Sequence, residues 1–195
     1  MASLNSFITA DPEKCIGCKL CEVACSQAHS KDSSFTVGSM NGPILPRLYL
    51  VRTPEVTVPV QCRHCEDAPC ANCCPSSAIK RKNGAIIVDS KLCSGCKTCM
   101  LACPFGAIEL LPVYENGTPV MQAVLCEESE TSTEEVPMLF AGKCDLCTES
   151  KSGPACIEVC PENALQLFDP AGTKKQRNIK AALSFLQTSQ NFPSK

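Results

Sequence analysis

Residues 93–106 read CSGCKTCMLACPFG, four cysteines spaced C-x2-C-x2-C-x3-C with a proline directly after the fourth. Thiolate sulfur is a soft metal ligand. The same crowding occurs in three other places. CIGCKLCEVAC carries Cys15, Cys18, Cys21 and Cys25; CRHCEDAPCANCCP carries Cys62, Cys65, Cys70 and Cys74; CDLCTESKSGPACIEVCP carries Cys144, Cys147, Cys156 and Cys160. With Cys93, Cys96, Cys99 and Cys103 these account for sixteen of eighteen cysteines, leaving Cys73 and Cys126.

A C-x2-C-x2-C turn curls the backbone so that three thiolates reach three irons of one [4Fe–4S] cube, while turn N–H groups point at the sulfides. The fourth thiolate, after the x3 gap at the start of an expected short helix, faces away from that cube. The following proline turns the chain. Zinc is the bland alternative, since paired C-x2-C units also build zinc ribbons. A single tetrahedral ion has no use for a third cysteine two residues on and a fourth before proline. Iron and sulfur therefore fit the spacing where zinc does not.

A disulfide framework is the other competitor. It belongs to oxidising compartments, whereas MASLNSFITADPEKC has no basic n-region, apolar h-region or twin arginine. Apolar runs such as Ala85–Val88 are too short to span a bilayer. The expectation is a cytoplasmic chain with metal-bound thiols and no membrane span. A net charge of −2 with no basic stripe argues against a nucleic-acid partner. Four cubes each near 2− with their thiolates would bring the loaded chain to about −10, −2 plus four times −2.

The elements that must position these sulfurs are themselves repeated. DPEKCIGCKLCEVAC at 11–25 matches DSKLCSGCKTCMLAC at 89–103 without a gap, and CPSSAI, CPFGAI and CPENAL follow Cys74, Cys103 and Cys160 in the same register. Ser26 stands after Cys25 where the other groups have proline. Asn83-Gly84 between short apolar runs predicts a hairpin. Residues 62–110 thus read as one compact central unit, with 26–61 and 111–143 as insertions. RLYLVRTPEVTVPV is β-rich and broken by Pro54 and Pro59, VYENGTPV predicts a hairpin, and CEESETSTEE predicts an exposed acidic loop. Over 173–190, Ile179, Ala182, Leu183 and Leu186 recur at helical spacing. The default reading is a C-terminal helix packed on its own domain, the alternative a docking or self-assembly helix.

The order of the four groups, with EDAP inside the second and TESKSGPA inside the fourth, resembles the four-cluster ferredoxin-like electron-transfer subunits of molybdenum and tungsten oxidoreductases. FITADPEKCIGC, CRHCEDAPCANCCP and GKCDLC are most similar to the small subunits linked to formate dehydrogenase and hydrogenase. The resemblance covers roughly residues 5–168. It implies an α+β, loop-rich fold of two bacterial-ferredoxin-like 2[4Fe–4S] units. The central one is contiguous; residues 1–25 with 144–168 form a terminal one closed by the chain ends. It implies crossed ligation: Cys15, Cys18 and Cys21 with Cys160; Cys144, Cys147 and Cys156 with Cys25; Cys62, Cys65 and Cys70 with Cys103; Cys93, Cys96 and Cys99 with Cys74. It further implies a non-catalytic relay between a formate dehydrogenase-type catalytic subunit and another redox subunit such as an iron hydrogenase. The alternative is a free-standing polyferredoxin or maturation helper that docks transiently.

The remaining residues carry weaker signals. Cys73 reads as a small core residue and Cys126 as a free thiol. His29 and His64 are single imidazoles without a catalytic signature; His64, inside a cysteine loop, could donate a hydrogen bond and is otherwise a plain loop residue. Lys19, Lys97 and Arg63 beside cysteines read as solvated charge, with partner docking secondary. No nucleophile triad, phosphate loop or nucleotide fingerprint is present.

Overall fold

The computed structural model describes residues 4–30, 42–115, 117–125 and 133–189. In chain order the elements around the cysteines are β1 (Phe7–Ala10), α1 (Leu20–Ala28), β2 (Leu48–Arg52), β3 (Thr57–Gln61), α2 (Pro69–Asn72), β4 (Ile79–Lys82), β5 (Ala85–Val88), α3 (Thr98–Ala102) and β6 (Glu109–Pro112). Then come β7 (Tyr114–Glu115), β8 (Thr118–Pro119), β9 (Met121–Leu125), β10 (Thr133–Pro137), β11 (Leu139–Gly142), α4 (Ala155–Glu158), β12 (Leu165–Phe168) and α5 (Pro170–Ser189). The strands pair as six antiparallel two-stranded ribbons. Cys126 lies outside the described residues.

Asn83 and Gly84 both hold positive φ, 52° and 73°, as a two-residue I′ turn demands, and join β4 to β5 with Lys82 opposite Ala85. The same ribbon is present a second time without a turn. β12, which follows the Cys160 phrase, pairs with β1, which precedes Cys15, from Ala10 opposite Leu165 to Phe7 opposite Phe168. The equivalence extends to single bonds: Asp89 N–H donates to Ala78 O and Asp11 N–H to Ala164 O, both at 2.8 Å. The β1–β12 ribbon therefore matches the β4–β5 hairpin without its connecting turn, its two strands coming from segments far apart in the chain.

The pairing is symmetric elsewhere too. β2 pairs with β3 immediately before Cys62, and β6 pairs with β11, which ends one residue short of Cys144. α1 packs against α4, and α2 against α3. Two cores result. One gathers Ile8, Leu48, Leu146 and Leu165 around Cys21, Cys25, Cys144 and Cys156; the other gathers Ile79, Ile86, Ile108 and Ala141 around Cys70 and Cys99. Apolar residues are few in each, and the cysteines fill the middle.

Four expectations change. Pro59 does not break its segment: it lies within β3 opposite Leu50, and only Pro54 falls in the turn. The stretch 111–143 is not wholly an insertion, because β11 completes the ribbon with β6. The fourth cysteines do not open the short helices. The third of each group sits at the second helical residue (Cys21, Cys70, Cys99, Cys156), while Cys74, Cys103 and Cys160 lie just past the helix ends. Proline after those three stops the helix, whereas Ser26 lets α1 run through Cys25 to Ala28. Finally, α5 begins at Pro170, three residues early. Asp169 caps it, accepting from Ala171 N–H and Gly172 N–H at 3.0 Å. Rather than packing on its own domain, α5 leaves Ile179, Leu183 and Phe185 exposed, at 50%, 55% and 74%.

Candidate metal centres

Each C-x-x-C turn shares one backbone feature. The residue before the second cysteine is left-handed in all four: Gly17 at φ 71°, His64 at 48°, Gly95 at 68° and Leu146 at 61°. Glycine adopts this freely, and His64 and Leu146 hold it at a cost of about 1 kcal/mol. The bend turns the next N–H groups onto sulfur: His64 N–H donates to Cys62 Sγ at 3.4 Å, and Leu146 N–H to Cys144 Sγ at 3.5 Å.

The C-P-x-x-A phrase is explained in the same terms. Ser77, Gly106 and Asn163 all hold positive φ. The alanine that follows is almost fully buried each time: Ala78 1%, Ala107 1%, Ala164 2%. Ala107 N–H then reaches Cys103 Sγ at 3.4 Å, and Ala164 N–H reaches Cys160 Sγ at 3.3 Å. Arg47 N–H to Cys25 Sγ at 3.3 Å and Ala141 N–H to Cys93 Sγ at 3.4 Å complete the set. Six sulfurs thus accept backbone N–H groups, donors of the kind that hold the sulfurs of a metal centre in place.

The chain brings these sulfurs together in fours. One recess is lined by Cys15, Cys18, Cys21 and Cys160, with Ile16, Leu50, Pro59 and Leu165 as apolar walls. A second is lined by Cys74, Cys93, Cys96 and Cys99 with Ile79, Leu110 and Ala141. Burial pushes Cys70 up to about 11; Lys143 opposes this, and Cys62 and Cys103 add to it. Cys65 is likewise raised by burial and then by Cys62, with Cys103 contributing. Cys144, Cys147 and Cys156 are raised by burial with Cys25 adding, Cys156 to about 12. Cys103 thus lies near Cys65 and Cys70, and Cys25 near Cys144, Cys147 and Cys156, with Cys21 also near Cys156.

These quartets fit an iron–sulfur cluster. Buried thiols held above the normal range ionise only beside a positive centre, which iron supplies. All seventeen cysteines among the described residues are unbridged. Buried His64 adds a donor: its Nδ1 accepts Ile86 N–H at 2.9 Å, which leaves the proton on Nε2, and Nε2 has no partner among the described residues. His64 is 1% exposed and burial lowers its pKa to about 3, so it stays neutral and is not a plain loop residue. Cys73 is half-buried against the central core, its thiol 3.5 Å from Cys70 O, as a packing residue would be.

Asp145, Arg47 and His29 form a network that the sequence reading missed. Asp145 accepts from Arg47 Nη1 at 2.6 Å, His29 Nε2 at 3.0 Å and Cys147 N–H at 2.9 Å. His29 Nδ1 donates to Cys25 O at 2.8 Å. Burial lowers the His29 pKa, but the bonds to Asp145 and Cys25 together outweigh it, so it rises to about 9. His29, Asp145 and Cys147 lie close enough to hold a cation; the Arg47 guanidinium already supplies one. The network ties α1 and the Arg47 backbone to the Cys144–Cys147 turn. Asp145→Ala strands two cations at a partly buried site, so it is expected to cost about 3 kcal/mol. Its readout is faster iron release to a chelator from the centre containing Cys25 and Cys147, with Asp145→Asn intermediate.

Residues 55–133 match the family model of the 4Fe-4S dicluster domain, and residues 8–27 that of the 4Fe-4S binding domain. The electron transport protein HydN of Escherichia coli is 40% identical over 168 residues, covering 85% of this chain and 89% of HydN. The chain belongs to the family of [4Fe–4S] ferredoxin-type electron-transfer proteins. Formate hydrogenlyase subunit 2 of Escherichia coli is 38% identical (93% of this chain, 91% of that protein). Hydrogenase-4 component A of the same organism is 39% identical (91% and 88%). Members of this family use their cysteines for iron–sulfur clusters, and no described helix here is long and apolar enough to cross a membrane.

Proposed function

We propose that the chain holds four [4Fe–4S] clusters and relays electrons between a formate dehydrogenase-type molybdenum or tungsten catalytic subunit and another redox subunit, such as an iron hydrogenase. It does no substrate chemistry of its own and works in the cytoplasm. The observation that supports this is a pair of recesses, one lined by Cys15, Cys18, Cys21 and Cys160 and the other by Cys74, Cys93, Cys96 and Cys99, with Cys103 near Cys65 and Cys70 and Cys25 near Cys147 and Cys156. A [4Fe–4S] cluster supplies reversible one-electron storage at a potential set by hydrogen bonds, charge and burial. The residues around each quartet supply those three controls.

The exposed ligands mark the ends of the relay. Cys18 and Cys96 are exposed, whereas Cys62, Cys70, Cys144 and Cys156 are buried. Exposed Ile16 and Leu20 flank Cys18 in the chain, and exposed Leu92, Leu101 and Phe105 lie in the segment that carries Cys96. Apolar residues around an exposed ligand suit docking of a second redox protein. The formate hydrogenlyase and hydrogenase relatives support partners of that kind.

A loaded chain is expected to be brown, to bleach with dithionite and to contain about sixteen irons, four clusters of four. Colourless protein containing zinc overturns the reading. Tagged chain in its own cells is expected to co-purify with a formate dehydrogenase catalytic subunit. Elution as a lone polypeptide favours the free-standing carrier or maturation helper instead. Removing residues 173–195 separates the roles of α5: an unchanged complex size excludes assembly through that helix.

A further inference from the structure

The chain crosses between the terminal and the central groups of cysteines at Gln61 and again at Lys143. β3 ends at Gln61 and Cys62 follows; its Pro59, with Leu50 of β2, lines the recess of Cys15, Cys18, Cys21 and Cys160. β11, whose Ala141 N–H reaches Cys93 Sγ, ends at Gly142, and Lys143 and Cys144 follow. Both crossing residues are polar and buried, Gln61 at 4% and Lys143 at 2% exposure. Each reaches back to a strand of the group that the chain has just left. Gln61 Nε2 donates to Ile8 O in β1 at 3.1 Å. Lys143 Nζ donates to Ile86 O in β5 and, at 2.8 Å, to Cys144 O. Ile8 and Ile86 are matching positions, each three residues before the aspartate that opens its repeat. The two ties are therefore reciprocal.

Apolar packing between the same segments has no such direction. Ile8 and Leu165 share one apolar cluster with Ala85 and Ala107, and contact of that kind tolerates small shifts of one face over the other. A hydrogen bond made out of water is directional and costly to leave unmade, so it favours a single register. Ile86 is gripped through both its backbone groups. Its N–H goes to His64 Nδ1 at 2.9 Å, in the Cys62–Cys65 turn, and its O accepts from Lys143, which adjoins Cys144. One residue of β5 thus joins the turns of two cysteine groups. Asn5 Nδ2 to His64 O at 2.8 Å and Ser6 N–H to Gly84 O at 3.1 Å secure the entry to β1 in the same sense.

Building on the four-centre relay, we propose that Gln61 and Lys143 are positioning residues that hold two centres at one fixed separation. One is the centre of Cys62, Cys65, Cys70 and Cys103; the other is that of Cys25, Cys144, Cys147 and Cys156. The step they serve is the passage of one electron, which leaves one centre oxidised and the other reduced with every atom in place. Its rate falls steeply as the gap widens, so a shift of one unit against the other slows it. A buried donor is what each crossing needs; glutamine supplies it without charge and lysine with charge.

The test is electron paramagnetic resonance of the loaded chain, fully reduced with dithionite, read beside its iron content. Neighbouring paramagnetic centres split one another's lines by an amount set by their separation. Gln61→Met and Lys143→Met remove the donors, and each is expected to keep its iron while the splitting is lost or smeared. Exchanging the two residues, Gln61→Lys with Lys143→Gln, restores a donor at each crossing and is expected to return the splitting of the unaltered chain. Unchanged splitting in either methionine variant overturns the proposal for that residue. Where a methionine variant loses iron, the exchanged chain decides: iron and splitting both retained there support the proposal, and loss of either overturns it. Full iron without splitting in the unaltered chain also overturns it. Fewer than about sixteen irons in the unaltered chain overturns the four-centre reading instead.

Discussion

Replacing Cys103 by alanine is expected to damage the centre built on Cys62, Cys65 and Cys70 and to leave intact the one built on Cys93, Cys96 and Cys99. The effect crosses from one repeat to the other because Cys103 lies past the end of α3, where its sulfur accepts Ala107 N–H. Cys103 acts on both Cys65 and Cys70, whereas Cys74, not Cys103, completes the recess of Cys93, Cys96 and Cys99. Losing one thiolate ligand removes between one and about four of the roughly sixteen irons. Electron paramagnetic resonance of Cys103→Ala is expected to match that of Cys62→Ala and to differ from that of Cys93→Ala. A match to Cys93→Ala rules out the crossed arrangement.

Ending the chain at Asn163 is the second large perturbation. It retains all sixteen proposed ligands, since Cys160 precedes the cut, yet removes β12 and with it the partner of β1. Leu165 is 3% exposed and Ile8 1%, and both belong to the core that holds Cys21, Cys25, Cys144 and Cys156. Emptying one such buried site costs about 2–5 kcal/mol, before the lost ladder of hydrogen bonds. The terminal unit is expected to lose both its clusters, about half the iron, while the central unit keeps its own because β4 and β5 are joined by a two-residue turn. The milder variant Ile8→Ala is expected to show the same bias as faster hydrogen exchange in β1 and β12 than in β4 and β5. Equal loss of iron from both units contradicts this account.

How much of this was legible in the sequence depended on how local each signal was. The Asn83-Gly84 hairpin needed only two adjacent residues able to take positive φ. The cysteine runs were legible because their bends are written in the repeats themselves. The phrase C-P-x-x-A is a proline that stops a helix, a left-handed residue and an alanine with no room for more. Ribbon β6–β11 was not legible: LFAG is too short for periodicity, and its partner lies about thirty residues upstream. The same holds for Lys143, Asp145, Arg47 and His29, ordinary polar residues until tertiary structure buries them together. Helical spacing in α5 announced an apolar stripe but could not say whether the chain covers it. The α5 start was readable from Asp169-Pro170, a cap followed by a first-turn proline.

Function separates along the same line. Metal identity followed from spacing alone, because three sulfurs two residues apart fit a cube and not a tetrahedral ion. The family followed from similarity over nine-tenths of the chain to a subunit of formate hydrogenlyase.

Diffraction from the loaded protein at the iron absorption edge tests the central claim most directly. Four compact groups of iron are expected: Cys160 Sγ bound with Cys15, Cys18 and Cys21; Cys25 with Cys144, Cys147 and Cys156; Cys103 with Cys62, Cys65 and Cys70; Cys74 with Cys93, Cys96 and Cys99. A map in which each consecutive run of four cysteines ligates a cluster of its own, or which holds fewer than four iron groups, contradicts the account.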